Sequence, residues 1–244
     1  TSYNTSIFYP QRNNIKSFNG FKYFSGVIQL NPYTIYQWTN LTSIEFPESL
    51  TTIGRYNFDW SQAKYAFPDL KNVSGIGSDV FDYVNLDYVH VKGEYCYGFY
   101  SAKIKHLEVS CTEFSSSFAK IDKVTLNEGV EKFINSHGLF SGDSVYIPST
   151  LKTLTTQNST APSFQANQGV SFTVSEENPY FKAVDGVLYS KDMKHIFLCL
   201  IDTECFEFPE GVSVAQISYE YGAYMVTGVI GGGVRKVKFP GSIK

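Results

Sequence analysis

Apolar residues return along this chain in one short phrase, apolar-x-x-apolar-x-apolar. Leu41, Ile44 and Phe46 make one copy, and Leu86, Val89 and Val91 another. Ile104, Leu107 and Val109 follow, then Ile121, Val124 and Leu126. The last two apolar positions of each phrase are two residues apart, the period of a strand with one buried face. With Ile44, Tyr65, Val89, Leu107, Val124 and Val145 as middle members, the phrase recurs at intervals of 21, 24, 18, 17 and 21 residues. An octet follows several copies. Phe46-Pro-Glu-Ser-Leu-Thr-Thr-Ile53 returns as Ile147-Pro-Ser-Thr-Leu-Lys-Thr-Leu154, and as Leu126-Asn-Glu-Gly-Val-Glu-Lys-Phe133 with Asn127 in the proline's place. Phe208-Pro-Glu-Gly-Val and Phe239-Pro-Gly-Ser-Ile are further versions, and Phe67-Pro68 opens a longer variant ending at Ile76-Gly77. Proline, or the small polar residues in its place, stops a strand ladder and turns the chain.

One strand and one return per twenty-odd residues predict a strand-rich solenoid in the leucine-rich-repeat range. Its parallel β-sheet lies on the concave side. Irregular turns, with short helical turns or short strands, form the convex side. An antiparallel sandwich would explain the alternation but not the return of the octet. No single repeat can bury its own apolar face, so Ile44, Phe46, Ile53, Phe58, Val89, Val91, Leu107, Val109, Val124, Leu126, Val145 and Ile147 are expected in one continuous core. Residues 86–120 lack the proline octet, which predicts an irregular convex side there. The Tyr- and Gly-rich stretch from Ser218 to Gly233 is expected to be a long loop or a distorted repeat.

Composition sharpens this picture. Aromatics reach 16% and charged residues only 18%, a balance that favours strands over helices. No apolar run approaches the roughly 18 residues of a membrane helix, so no transmembrane segment is expected. A net charge of −3 without a basic run argues against nucleic acid as a partner. Cys96, Cys111, Cys199 and Cys205 show no zinc spacing. Cys199 and Cys205 flank a short connection, and whether they form a disulfide is left open. Cys96 and Cys111 occupy different phases of their repeats and are not expected to bond.

The stretch Leu41-Thr-Ser-Ile44-Glu-Phe46-Pro-Glu-Ser-Leu50-Thr-Thr-Ile53-Gly54, with Phe58 after it and Phe24-Ser-Gly-Val27 before it, resembles the BspA-type leucine-rich repeats of bacterial and protist surface proteins. Asn178-Pro-Tyr-Phe181, leading through Asp185-Gly186 to Tyr189-Ser-Lys-Asp192, is similar to a hairpin module inserted between repeats of that family. Asp185-Gly186 between apolar runs is itself a hairpin-turn signal. The resemblance implies a single domain over 1–244. Residues 1–23 form a lead-in or cap, 24–174 the repeats, 175–205 the β-hairpin insertion, and 206–244 further repeats with an incomplete last one. It further implies a bacterial, secreted or cell-surface protein that adheres to host matrix or to other cells, with any lipid or wall anchor outside this chain.

Candidate chemistry is sparse. Gly231-Gly232-Gly233 lacks the Lys-Ser/Thr of a phosphate-binding loop, and no Gly-x-Ser-x-Gly elbow frames a nucleophile. The pairs Asp82/Asp87 and Glu176/Glu177 lie near turns, where acidic residues serve solvation and local hydrogen bonding. No catalytic residue, cofactor or metal site is assigned. Side chains alternate across a strand, so the residues flanking each buried pair face outward. One outward column reads Gln29, Glu45, Ala66, His90, Glu108, Thr125, Tyr146, Thr173, Glu207, Lys238, and its neighbour Ser43, Lys64, Tyr88, His106, Lys123, Ser144, Ser171, Cys205, Lys236. Stacked in register, Tyr88, His90, His106 and Glu108 would share one patch, with Tyr146 further along the face. Imidazole and carboxylate suit a metal, but nothing supplies a fourth ligand. A partner-binding patch is the preferred reading. The expected function is non-catalytic protein–protein recognition or adhesion with an extracellular protein ligand. The alternatives are a glycan-binding surface, suggested by the tyrosines, and a polysaccharide-degrading solenoid enzyme.

Overall fold

The computed structural model describes residues 5–58, 64–66, 70, 73–136, 138–155, 169–199, 201, 203–210, 216–220, 223–227, 229–230 and 236–238. Among them are two 3-10 segments, Thr5–Asn14 and Asn19–Tyr23, and otherwise only strands. The early strands are short: β1 (Ser17–Phe18), β2 (Gln29–Leu30), β3 (Ser43–Ile44), β4 (Thr52–Ile53), β5 (Lys64–Ala66) and β6 (Gly75–Ile76). Three longer ones follow, β7 (Asn85–Cys96), β8 (Lys103–Ser117) and β9 (Lys120–Leu126). The coil continues through β10 (Lys132–Ser136), β11 (Leu139–Phe140), β12 (Ser144–Ile147), β13 (Thr153–Thr155) and β14 (Ser171–Val174). Then come β15 (Phe181–Val184), β16 (Val187–Ser190), β17 (Ile196–Cys199) and β18 (Cys205–Glu207). The last are β19 (Gln216–Glu220), β20 (Ala223–Thr227), β21 (Val229–Ile230) and β22 (Lys236–Lys238). No helix among the described residues is long and apolar enough to cross a membrane.

Two sets of parallel strand pairings, front and rear, line the coil. The front ladder pairs β5 with β7, β7 with β8 and β8 with β9, aligning Val89 with Leu107 and Leu107 with Val124. The rear ladder aligns Leu30, Ile53, Ile76, Cys96, Phe114, Phe133 and Leu154 on successive coils. The octet is the corner between them. Phe46, Leu126 and Ile147 end the front pattern. The N–H of Leu50, Val130 and Leu151 then returns to the carbonyl of Pro47, Asn127 and Pro148 at 3.0, 3.3 and 3.3 Å. This three-residue return needs no proline N–H, which is why Pro and Asn interchange there.

Residues 86–120 depart from the irregular convex side expected of them. Here β7 and β8 run unbroken through both ladders, from Leu86↔Ile104 to Cys96↔Phe114. With no proline to stop the ladder, hydrogen bonding carries around the corner. In β7 the bend falls at Gly93, whose φ of 111° favours glycine and where a Cβ would run into the carbonyl oxygen of Ser74.

The core between the ladders is continuous. All the residues expected there are fully buried in one cluster except Phe46, which is partly buried and packed against it. Phenylalanines stack down its length: Phe58–Phe81, Phe81–Phe99, Phe99–Phe114 and Phe114–Phe133 have ring centroids 5.7, 5.1, 5.5 and 5.1 Å apart. The hairpin of β15 and β16 is antiparallel, turning at Asp185 and Gly186 with φ of 50° and 77°. Asn178 ties it to the coil. Its Nδ2 donates to the carbonyls of Pro148 and Leu151 at 2.7 and 3.0 Å, and its Oδ1 accepts from the N–H of Tyr180 and Phe181, both at 2.8 Å. A second, smaller core of Val187, Tyr189, Ile196, Cys199, Phe206 and Phe208 lies beyond the hairpin.

Within Ser218–Gly233, expected as a loop or distorted repeat, β19 and β20 pair antiparallel from Gln216↔Thr227 to Glu220↔Ala223. Gly231-Gly232-Gly233, Phe67-Pro68 and Phe239-Pro240 lie outside the described residues.

Candidate functional site

The outward column holds where the long strands stack: His90 lies beside Glu108 and Glu108 beside Thr125, with His106 beside Lys123. Tyr146 pairs Thr173, Ser144 pairs Ser171, and Glu207 pairs Lys238. Two members belong elsewhere. Gln29 pairs Thr52 in the rear ladder, and Ala66 lies beside Tyr88 rather than His90, because the ladder shifts between Tyr65 and Ala66. A one-residue slip of this kind changes which outward residues are neighbours.

Four of the five candidate contact residues form a closed network. The Tyr88 hydroxyl donates to Glu108 Oε2 at 2.6 Å, and the Tyr88 and His106 rings meet edge to face at 5.2 Å. Glu108 Oε1 accepts from Asn127 Nδ2 at 2.9 Å and lies 3.7 Å from His90 Nε2. His90 Nε2 is 2.9 Å from Ser110 Oγ, which also accepts from Asn127 Nδ2 at 2.8 Å. His106 Nε2 is 3.0 Å from Thr125 Oγ1. All four side chains are half-buried, their polar atoms bound to one another or to Ser110, Thr125 and Asn127. The hydrogen bond from Tyr88, then that from Asn127, holds the Glu108 carboxyl below its ordinary pKa against the opposing effect of burial. Burial, with the Lys123 ammonium second, lowers that of His106, and Glu108 only partly offsets this. At neutral pH the patch therefore carries an ionised Glu108 beside a neutral His106.

Tyr146 stands apart. It is 49% exposed on β12 and lines a cleft of about 370 Å³ whose other wall carries Lys123 and Thr125. Thr125 is thus the link, touching His106 on one side and the cleft on the other. Asp82 and Asp87 have structural partners. The Asp82 carboxylate accepts from the Tyr100 N–H at 2.9 Å, and Asp87 pairs with Lys105 at 2.7 Å. Glu176 and Glu177 are exposed. Among the described residues no three His, Cys, Asp or Glu side chains converge as metal ligands.

Residues 8–160, more than half of the chain, match six copies of the family described as BspA type Leucine rich repeat region. The chain belongs to the BspA-type leucine-rich repeat family. This BspA-type chain is also similar to the pneumococcal vaccine antigen PcpA, with 19% identity and a TM-score of 0.42 over 78% of this chain and 45% of that one. A leucine-rich repeat protein from Eubacterium ventriosum gives 17% and 0.37, over 97% and 54%. A leucine rich cell surface protein from Faecalibacterium prausnitzii gives 16% and 0.34, over 69% and 54%. The chain spans about half the length of these three proteins. No curated protein matches it.

The BspA-type phrase also explains which partners the sequence hid. Ser110, Thr125 and Asn127 complete the network, yet Asn127 reads in sequence only as the octet's substitute for proline. The signal was available in the register: Asn127 follows Leu126, which sits beside Val109, so its side chain reaches back over Glu108 and Ser110. The four cysteines are free thiols, with Cys205 exposed and Cys96, Cys111 and Cys199 buried. Cys96 and Cys111, set apart by phase in the sequence, both lie in the long core, where interaction with the Cys96 thiol, ahead of burial, pushes the Cys111 thiol pKa up.

Proposed function

We propose that this chain is a non-catalytic recognition module of the cell surface or extracellular space. It binds an extracellular protein partner through the front ladder, with Tyr88, His90, His106, Glu108 and Tyr146 as contacts. The observation that carries the reading is the Tyr88–Glu108–Asn127–Ser110–His90 network. Its side chains are already fixed by one another before any partner arrives, so little side-chain entropy remains to be lost on binding. Tyr88, His90, Glu108 and Ser110 lie on the two longest strands, and tyrosine is a frequent interface anchor. Family membership supports a surface setting.

The test measures binding of the chain to immobilised extracellular matrix proteins and to intact cells. Tyr88→Ala and His106→Ala should each weaken a saturable interaction by about tenfold or more, a change of about 1.4 kcal/mol. Tyr95→Ala, on an exposed ring of the rear ladder beside Glu113, should leave it unchanged. Equal affinity for parent, Tyr88→Ala and His106→Ala would remove the contact from this patch.

A further inference from the structure

Among the described residues the front ladder is cut between β9 and β12. β9 is paired along its whole length to β8, but on its other side only Lys120 and Ile121 are paired, to Leu139 and Phe140. One more bond joins the Ser141 N–H to the Ile121 carbonyl at 2.9 Å. The chain then bulges through Gly142 and Asp143, and β12 resumes the front pattern paired only to β14. No backbone hydrogen bond joins residues 122–126 to residues 143–147. Two strand edges therefore face each other with unpaired N–H and C=O groups, and the space between them is the cleft of about 370 Å³.

This cleft is a notch closed at one end. Gly142 passes so near Asp122 that a Cβ would run into its carbonyl oxygen, and paired β9 and β11 lie just behind. It is lined by Asp122, Asp143, Lys123, Thr125 and Ser144, by the apolar Val124, Leu126 and Phe140, and by the half-exposed Tyr146. Asp122 has one partner at hand, accepting from Ser141 Oγ at 2.6 Å. The walls thus combine hydrogen-bonding groups of little net charge with apolar patches and the Tyr146 ring. Two carboxylates repel phosphate-bearing ligands, and unpaired backbone disfavours a greasy one. The closed end stops an extended strand from passing through. A pyranose ring fits these conditions, since it presents hydroxyls that both donate and accept around an apolar C–H face. The volume lies at the small end of the range of ligand sites, about 300–1,000 Å³.

We infer that the notch between β9 and β12 binds a single sugar residue of a glycan. Asp122, Asp143 and the free backbone groups take its hydroxyls, and the Tyr146 ring covers its apolar face. The site shares Tyr146 with the proposed protein-contact residues but none of the others, and needs only that the front ladder be accessible.

Saturation-transfer NMR and calorimetric titration of the 244-residue chain test it. The probes are free glucose, galactose, mannose, fucose, N-acetylglucosamine and N-acetylgalactosamine. At least one should bind saturably with a Kd of order 1 mM. Tyr146→Ala and Asp143→Asn should each weaken it by about tenfold with an unchanged melting temperature. Tyr88→Ala should bind that sugar like the parent, whatever its effect on protein partners, so the failure of one reading is distinguishable from that of the other. No saturable binding across the panel overturns the assignment, as does full affinity in Tyr146→Ala. Saturable binding of an extended peptide, with no sugar binding, would give the notch to strand addition instead and overturn it equally.

Discussion

Leu107 has Val89 and Val124 beside it on the adjacent coils and is wholly buried. Leu107→Ala should lower the unfolding free energy by about 2–5 kcal/mol, read by chemical denaturation. The same loss is not expected at Tyr95, which is 49% exposed. Acid response is set by its neighbours on β8, His106 and Glu108. His106 is held below its ordinary value of 6.5, so the unfolded chain binds a proton there before the folded one does. Stability from this group is present above the unfolded pKa and falls as pH drops from 6.5 toward the folded value. Glu108, also lowered, contributes above its unfolded value of 4.5 and loses that contribution as pH falls through its folded value. The melting temperature should therefore decline in two steps on acidification. His106→Phe should flatten the first and Glu108→Gln the second. A profile unchanged in both variants would mean the network does not couple to folding. The half-buried positions of these residues were legible because alternation and repeat spacing fix register. Their partners were not, because a hydrogen bond from Asn127 depends on a corner geometry that spacing does not encode.

Among the strands and turns, the octet was the most readable feature and β7 and β8 the least. An apolar residue, a turn former and a second apolar residue define a corner by their own chemistry. The lack of that signal in residues 86–120 meant that nothing stops the ladder, not that the chain loses order. Glycines test this. Gly129 has a φ of 99° and nothing within 4 Å of where a Cβ would stand, so Gly129→Ala should cost only the strain of that backbone, about 1–2 kcal/mol. Gly93→Ala adds a collision with the Ser74 backbone and should lower the melting temperature clearly more. Equal shifts would place the β7 bend elsewhere. The hairpin was legible from Asp185-Gly186, but its attachment through Asn178 was not. Removing that side chain strands two carbonyls and two N–H groups, so Asn178→Ala should cost more than about 2 kcal/mol.

For the molecule as a whole, the long core that the repeat pattern implied is joined by a small second one, because β16 and β17 turn part of the hairpin toward Phe206 and Phe208. Thiol chemistry reports on both. Cys96 and Cys111 lie in the long core, Cys199 in the small one, and Cys205 on the surface. Burial pushes the Cys199 pKa up to about 11. A thiol reagent should label one cysteine rapidly in the native chain and four in non-reducing denaturant. Fewer than four in denaturant would reveal a disulfide. The notch between β9 and β12 bears on mechanics. Behind it the rear ladder stays intact, with Lys132 paired to Thr153 and Phe133 to Leu154. A beam cut on one side and whole on the other bends about the uncut side. Under load the solenoid should yield first at this notch, flexing by widening or narrowing it while the rear strands act as the hinge.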